Sequence, residues 1–485
     1  MGDTPHVMGA GALWSMLDNL AQQVLSFLVF LFLARIIAPQ DFGLIAIAHV
    51  MVTLVRQTVF DAIVQPVTRS HAPTDALFSR AFAVCLLAAL LIAALVVGGA
   101  GLVAHFYRQP ELLPVLCWMS VVVVATGAAS AYEARLVRSM QFKPLAIRSI
   151  VSVAMGGAVG IALAIQGAGV MALVAQQVVT SCLALALLVA QSDWRPRFTW
   201  RGLSMREFLP DASRVGLTGL FGFMTSQGDT VLVSIFLGSY ATGIYSFAKR
   251  LTSSIYLIIG SSLLKLAIPS FALTSGNPSA LREAYVRILG ISMFLMAPAL
   301  AGLSVLAQPV IGLFFGSVWA PAAPVVSLLS LMYLLLAANQ VNDYLLFAVG
   351  ARTVPLKRTL LQIVLVLLLG ICFSGLGLVW TAAAFVVAGA AVWPWAQWLA
   401  NRYMHLGFLR LALALKSPVI ATTGMTSALL LVMRYTTVTT PLLIMLVLLG
   451  VLVYFAIHWL VIRMSPGSHD ALKDLLHWRG VKPAA

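Results

Sequence analysis

Apolar runs of span length, separated by short clusters of charge, glycine and proline, set the pattern of this chain. They cover approximately residues 13–37, 42–66, 81–105, 112–132, 147–166, 169–190, 212–237, 243–269, 287–307, 321–347, 359–375, 377–400, 417–433 and 440–462. A helix rising about 1.5 Å per residue needs about twenty residues to cross roughly 30 Å of hydrocarbon, so each run is long enough or nearly so. The pattern predicts an all-α polytopic membrane protein with about fourteen transmembrane helices. The apolar runs leave no continuous stretch for a soluble domain, and the 61% hydrophobic content and mean hydropathy of +0.99 agree.

The first two runs form a hairpin around Ala38-Pro39-Gln40-Asp41-Phe42-Gly43, and polar residues lie within both arms. Asp18, Gln22 and Gln23 fall in the first arm, and Arg56 and Asp61 in the second. Ionisable groups at that depth are costly against lipid and should face protein or a watery cavity. The hairpin has a second copy: slid by 200 residues without gaps, Gly43 falls on Gly243 and Ala48 on Ala248. Basic, proline-broken exits at the ends of the fourth and tenth spans, Tyr132 to Ala146 and Tyr344 to Lys357, repeat likewise. Internal repeats of this kind mark transporters. The expected organisation is a six-helix half (residues 1–191), a linker (192–210), a second six-helix half (211–400), two additional spans (401–465) and a tail (466–485).

Charge then orients the chain. Arg135, Arg138, Lys143, Arg148, Arg195, Arg197, Lys357 and Arg358 fall in loops on one side, and few basic residues fall on the other, which places both termini in the cytoplasm by the positive-inside rule. This topology accounts for a net charge of +15 without nucleic acid. The four cysteines, all inside spans and without ligand spacing, read as small core residues. The first apolar run is too long for a cleaved signal, so the first helix should stay in the mature protein. Short outer loops, no HExxH and no phosphate-cradling glycine loop argue against an enzyme of glycan assembly.

Several residues carry candidate chemistry. Arg56, Lys249, Arg250 and Lys265 are the intramembrane cations, and an arginine can grip phosphate with a planar fork that lysine lacks. Gln22, Gln23, Gln227, Asn339 and Asn342 offer amides for sugar hydroxyls, or satisfy one another across helices. Asp18, Asp61 and Asp229 are candidates for ion coupling, because a carboxylate changes charge on protonation. Structural pairing is the competing reading: Asp229 with Lys249 or Arg250, and Arg56 with Asp18 or with Asp61 about one turn away. Asp18 and Lys265 also lie near enough to the inner surface to snorkel.

Leu33-Ala34-Arg35-Ile36-Ile37-Ala38-Pro39-Gln40-Asp41-Phe42-Gly43-Leu44, Gln227-Gly228-Asp229, Gly243 to Arg250 and the Phe142-Lys143 exit resemble the polysaccharide transport branch of the flippase superfamily that includes the multidrug and toxin extruders. The likeness covers roughly the first 360 residues, and Asp61 to Val67 departs from the glycine-rich continuation usual after that aspartate. The resemblance implies two helical halves forming a V that opens inward or outward. It also implies a flippase of the bacterial inner membrane for polyprenyl-diphosphate-linked oligosaccharide, with lipid as surroundings and a polysaccharide polymerase and co-polymerase as candidate partners. No cofactor is expected beyond a coupling cation, H+ or Na+. A multidrug extruder of the same fold is the alternative, which intramembrane Arg56, Lys249 and Arg250 disfavour.

Overall fold

The structure, a computed structural model, describes residues 4–70, 74–197, 205–274, 276–351, 353–404 and 406–464. Side chains at 4–19, 205–208, 261–266, 409–410 and 414 are not described, which places Asp18 and Lys265 outside the side-chain description. The described residues are helical almost throughout. Twelve helices among them are long and apolar enough to cross a membrane, and Leu20–Ile36 forms a shorter apolar helix. The chain is a multi-pass membrane protein.

The helices are α1 (Thr4–Ile36), α2 (Pro39–Val55), α3 (Asp61–Arg69), α4 (Asp75–Tyr107), α5 (Leu112–Arg138), α6 (Phe142–Ile165) and α7 (Val170–Gln191). They continue as α8 (Met205–Thr274), α9 (Pro278–Phe314), α10 (Ala322–Ala348), α11 (Thr353–Ser374), α12 (Leu378–Met404), α13 (Phe408–Tyr435) and α14 (Thr440–Met464). Local chemistry sets their ends. Pro39 opens α2, where its missing N–H costs nothing, and the side chain of Asn277 caps the first turn of α9 by accepting from Ser279 N at 3.0 Å. The long α8 is broken at Gly238, whose φ of 81° with ψ of −176° is open only to glycine. The break stands where the sequence places a turn, and Tyr245 reaches back across it to Asp229.

Contacts divide the chain into two compact units, Met1–Ser246 and Phe247–Ala485. In the first, α4 packs on α5, α1 and α7 pack on α6, and α2 lies on α5. The start of the linker is fixed here: Trp194 is buried against Phe78 and Tyr132, with the Arg135 guanidinium 5.4 Å from its ring centre. In the second, α10 packs on α9 and α12, α11 on α12, and the last two helices pack on α9 through Phe294, Leu306, Met425, Leu429 and Tyr454. The cysteine reading needs correction, since only Cys85 is buried while Cys182 and Cys372 are exposed. Exposure on a spanning helix is contact with lipid, which a thiol tolerates as well as a core.

Candidate functional site

Arg56 opens a π-helical turn, Arg56–Phe60, that joins α2 to α3 within one span. The turn closes with the Asp61 N–H donating to the Arg56 carbonyl, one residue further along than in an α-helix. Such a turn rotates the following side chains and frees backbone carbonyls from their usual donors. Two carbonyls of the turn lie against α8: a Cβ on Gly219 would stand 2.8 Å from the carbonyl carbon of Gln57, and one on Gly216 3.0 Å from the oxygen of Thr58. Glycine at 219 is therefore a condition of this packing.

The Arg56 side chain crosses to α5, where its Nη2 stands 3.5 Å from Glu133 Oε2. Glu133 Oε1 accepts from Arg148 Nη1 on α6. The arginines differ in setting, with 55% of the Arg56 side chain exposed against 15% for Arg148. The pairing of Arg56 with Asp61, one of the alternatives that spacing offers, gives way among the described residues to this pairing with Glu133, and Asp61 is half-buried and makes no ion pair among them; the alternative partner Asp18 lies outside the described side chains. Spacing along one helix favoured Asp61, but the partner comes from the neighbouring helix. Gln57, next to Arg56, keeps a buried Oε1 without a hydrogen bond, and Gln22, Gln23 and Gln227 are half-buried.

At the turns of the two repeated hairpins the chain meets itself. A Cβ on Gly43 would lie 2.7 Å from the carbonyl carbon of Ser239 and 3.1 Å from the nitrogen of Gly243. A Cβ on Gly243 would lie 2.7 Å from the carbonyl carbon of Pro39 and 3.0 Å from the nitrogen of Gly43. Pro39 and Ser239 are themselves 200 residues apart, so the contact is reciprocal, as a two-fold relation between repeats requires. Leu44 and Ile244, and Ala48 and Ala248, are all fully buried, which fixes the same register. Asp229 is buried nearby in sequence and accepts from Tyr245 Oη at 2.6 Å.

In the second unit, Lys249 and Arg250 are half-buried on α8. The amides of α10 are largely spent on neighbouring helices. Asn342 is fully buried, accepts from Tyr285 Oη at 2.6 Å and donates to Gln397 Oε1 at 3.1 Å, and Gln397 donates to Asn401 Oδ1 at 2.9 Å. Asn339 is buried beside them in sequence, with an Oδ1 that lacks a hydrogen bond. Asp343 holds Arg358 of α11 bidentately, Nε–Oδ1 at 3.1 Å and Nη2–Oδ2 at 2.8 Å. The residues that sequence reading missed are Glu133, Arg148 and Arg358 as partners and Tyr285 and Gln397 as network members. The pairs Glu133–Arg148 and Asp343–Arg358 share a separation of 15 residues across a proline-broken turn, a signal present in the sequence.

Residues 32–324 match the family described as polysaccharide biosynthesis protein, a span covering more than half of the chain. The chain belongs to that family. Among curated relatives, the succinoglycan biosynthesis transport protein ExoT of Rhizobium meliloti (strain 1021) is 30% identical over 325 residues, 66% of this chain and 64% of that protein. The match thus spans a little under two thirds of the relative's length. Among solved structures, the lipid II flippase MurJ in an inward closed conformation superposes with a TM-score of 0.74 at 14% identity, covering 93% of this chain and 99% of that one. An inward-facing multidrug resistance MATE family transporter of the MOP superfamily gives 0.56 at 17% identity, covering 80% and 94%. These likenesses establish the fold of this member of the polysaccharide biosynthesis family as that of MurJ and the MATE transporters.

Proposed function

We propose that this chain is a flippase that moves a polyprenyl-diphosphate-linked oligosaccharide repeat unit across the bacterial inner membrane for exopolysaccharide or lipopolysaccharide synthesis. The observation that carries the reading is Arg56, a half-exposed arginine on a π-helical turn inside an apolar span, held on one side by Glu133. A sugar chain and a diphosphate cannot enter hydrocarbon unaided, so a protein must shield the headgroup while the polyprenyl tail stays in lipid. A guanidinium has donors to spare for a phosphate after one edge is engaged. Lys249 and Arg250 are two further intramembrane cations available to an anionic headgroup on this reading. Transport is secondary, without nucleotide hydrolysis, and Asp18, Asp61 and Asp229 are the carboxylates available for coupling to H+ or Na+. The chain acts as a transporter and not as an enzyme, with a polymerase and co-polymerase downstream.

Deletion of the gene in its own host should abolish surface polysaccharide and accumulate the lipid-linked repeat unit in the membrane fraction, and the restored chain should reverse both. Normal polysaccharide in the deletion strain would overturn the proposal. Protection of a pump-deficient host against cationic drugs would instead establish the multidrug reading. The cytoplasmic placement of both termini and of the linker is tested separately. A phosphatase fusion after Gln191 should be silent, and activity there would invert the assigned topology.

A further inference from the structure

Two carboxylate–arginine pairs among the described residues, Glu133–Arg148 and Asp343–Arg358, are repeats of one another with one difference. Glu133 reaches Arg148 and Asp343 reaches Arg358, each across a helix hairpin and each 15 residues apart. In the second unit both oxygens of Asp343 go to Arg358, whose side chain is only 7% exposed, and the pair is closed. In the first unit the carboxylate is divided, Oε1 to Arg148 and Oε2 to Arg56. The position 200 residues beyond Arg56 is Tyr256, which donates to Gln340 and packs with its ring tilted against Tyr333, so the repeat offers Asp343 no cation at that place. Glutamate is also one methylene longer than aspartate, and that length, about 1.5 Å, is what a second partner requires.

We propose that Glu133 is a positioning residue for Arg56, using one oxygen as a structural clip to α6 and the other to aim the Arg56 guanidinium; the inference rests on the reading of Arg56 as the diphosphate-binding cation. Asp61 lies within electrostatic reach of Arg56 and Glu133, so the cluster holds two positive and two negative side chains, and Arg56 is the more exposed of its two cations. Glu133 fixes one edge of the Arg56 fork and screens it from Arg148. The remaining donors face the exposed side, where an anion can be gripped without first ordering a long side chain.

The second unit supplies the design of the test, because Asp343 demonstrates that aspartate suffices for the clip. Glu133→Asp should keep the bond to Arg148 and release Arg56. Purified full-length protein is titrated with undecaprenyl diphosphate, with undecaprenol as the uncharged probe, and binding is read by native mass spectrometry beside thermal melting. Wild type should prefer the diphosphate, and Arg56→Gln should erase the preference. Glu133→Asp should weaken diphosphate binding about tenfold, within the range of coupled neighbours, with undecaprenol binding unchanged and melting near wild type. Asp343→Asn should lower the melting temperature and leave the preference of the folded protein intact. If Glu133→Asp cannot be purified, the same preference is read on Glu133→Gln. A wild-type preference in the Glu133 variant, or an equal loss in Asp343→Asn, overturns the positioning role alone. A wild-type protein that does not distinguish diphosphate from undecaprenol overturns the functional reading beneath it.

Discussion

Gly43→Ala should cut polysaccharide export by about ten- to a hundredfold while the protein accumulates normally, because overpacking a close contact costs roughly 1–3 kcal/mol in the state that needs it. The new methyl would stand 2.7 Å from the carbonyl carbon of Ser239, and no side chain there can move aside because the obstacle is backbone. Gly243→Ala should do the same against Pro39, by the same distance. Two hairpin turns that meet through glycine can close fully and part cleanly, which suits a protein whose ends must open in alternation. One methyl already breaks the contact, so the double variant should lose little more than either single one, a departure from additivity that marks a shared contact. Gly98→Ala provides the control, since a Cβ there meets nothing within 4 Å. Export at wild-type level from Gly43→Ala, measured as extracellular sugar per amount of membrane-inserted protein, would show that this closure plays no part in the cycle.

The glycine contact was legible in the sequence as a register and not as a contact. Sliding the chain by 200 residues placed Gly43 on Gly243, and helical hairpins followed from hydropathy alone, because a bilayer forces apolar segments to satisfy their backbone internally. The π-helical turn at Arg56–Phe60 had no such signal. It shifts one hydrogen bond by one residue, and no residue type is required for it. The same gap misdirected the pairing of Arg56. Helical spacing pointed to Asp61 on its own span, whereas the neighbour Glu133 belongs to α5, and helix adjacency is a tertiary fact. The 15-residue clips lay between these cases. Glu133 with Arg148 and Asp343 with Arg358 recur in both exits, yet single basic residues at helix ends are explained well enough by topology. Only the repetition of the carboxylate with its arginine separates a clip from a topogenic charge. The amides of α10 show the opposite limit: Asn342 looked available for sugar, and its partners Tyr285 and Gln397 lie 57 and 55 residues away on other helices.

Arg56→Gln should reduce export by at least about a hundredfold, since removing one partner of a charge-assisted contact in a confined site costs roughly 2–5 kcal/mol. The protein should still accumulate. Glu133 retains Arg148 when Arg56 is neutralised, so that carboxylate is not orphaned inside the span, and the large destabilisation that follows an orphaned charge does not arise from it. Arg56→Lys keeps the charge and loses the fork, and it should export at about a tenth of the wild-type rate if two phosphate oxygens are gripped together. Arg148→Gln is the contrasting variant. It leaves Glu133 with only the more exposed Arg56 at 3.5 Å and opens the clip between α5 and α6, so it should lower the amount of protein in the membrane. The measurement is surface polysaccharide in the complemented deletion strain, divided by the blotted protein. A near-normal ratio for Arg56→Gln would remove Arg56 from the transport path, and a loss of protein matching that of Arg148→Gln would make both arginines structural. A stable, inactive Arg56→Gln beside a depleted Arg148→Gln would separate the two roles that one carboxylate serves.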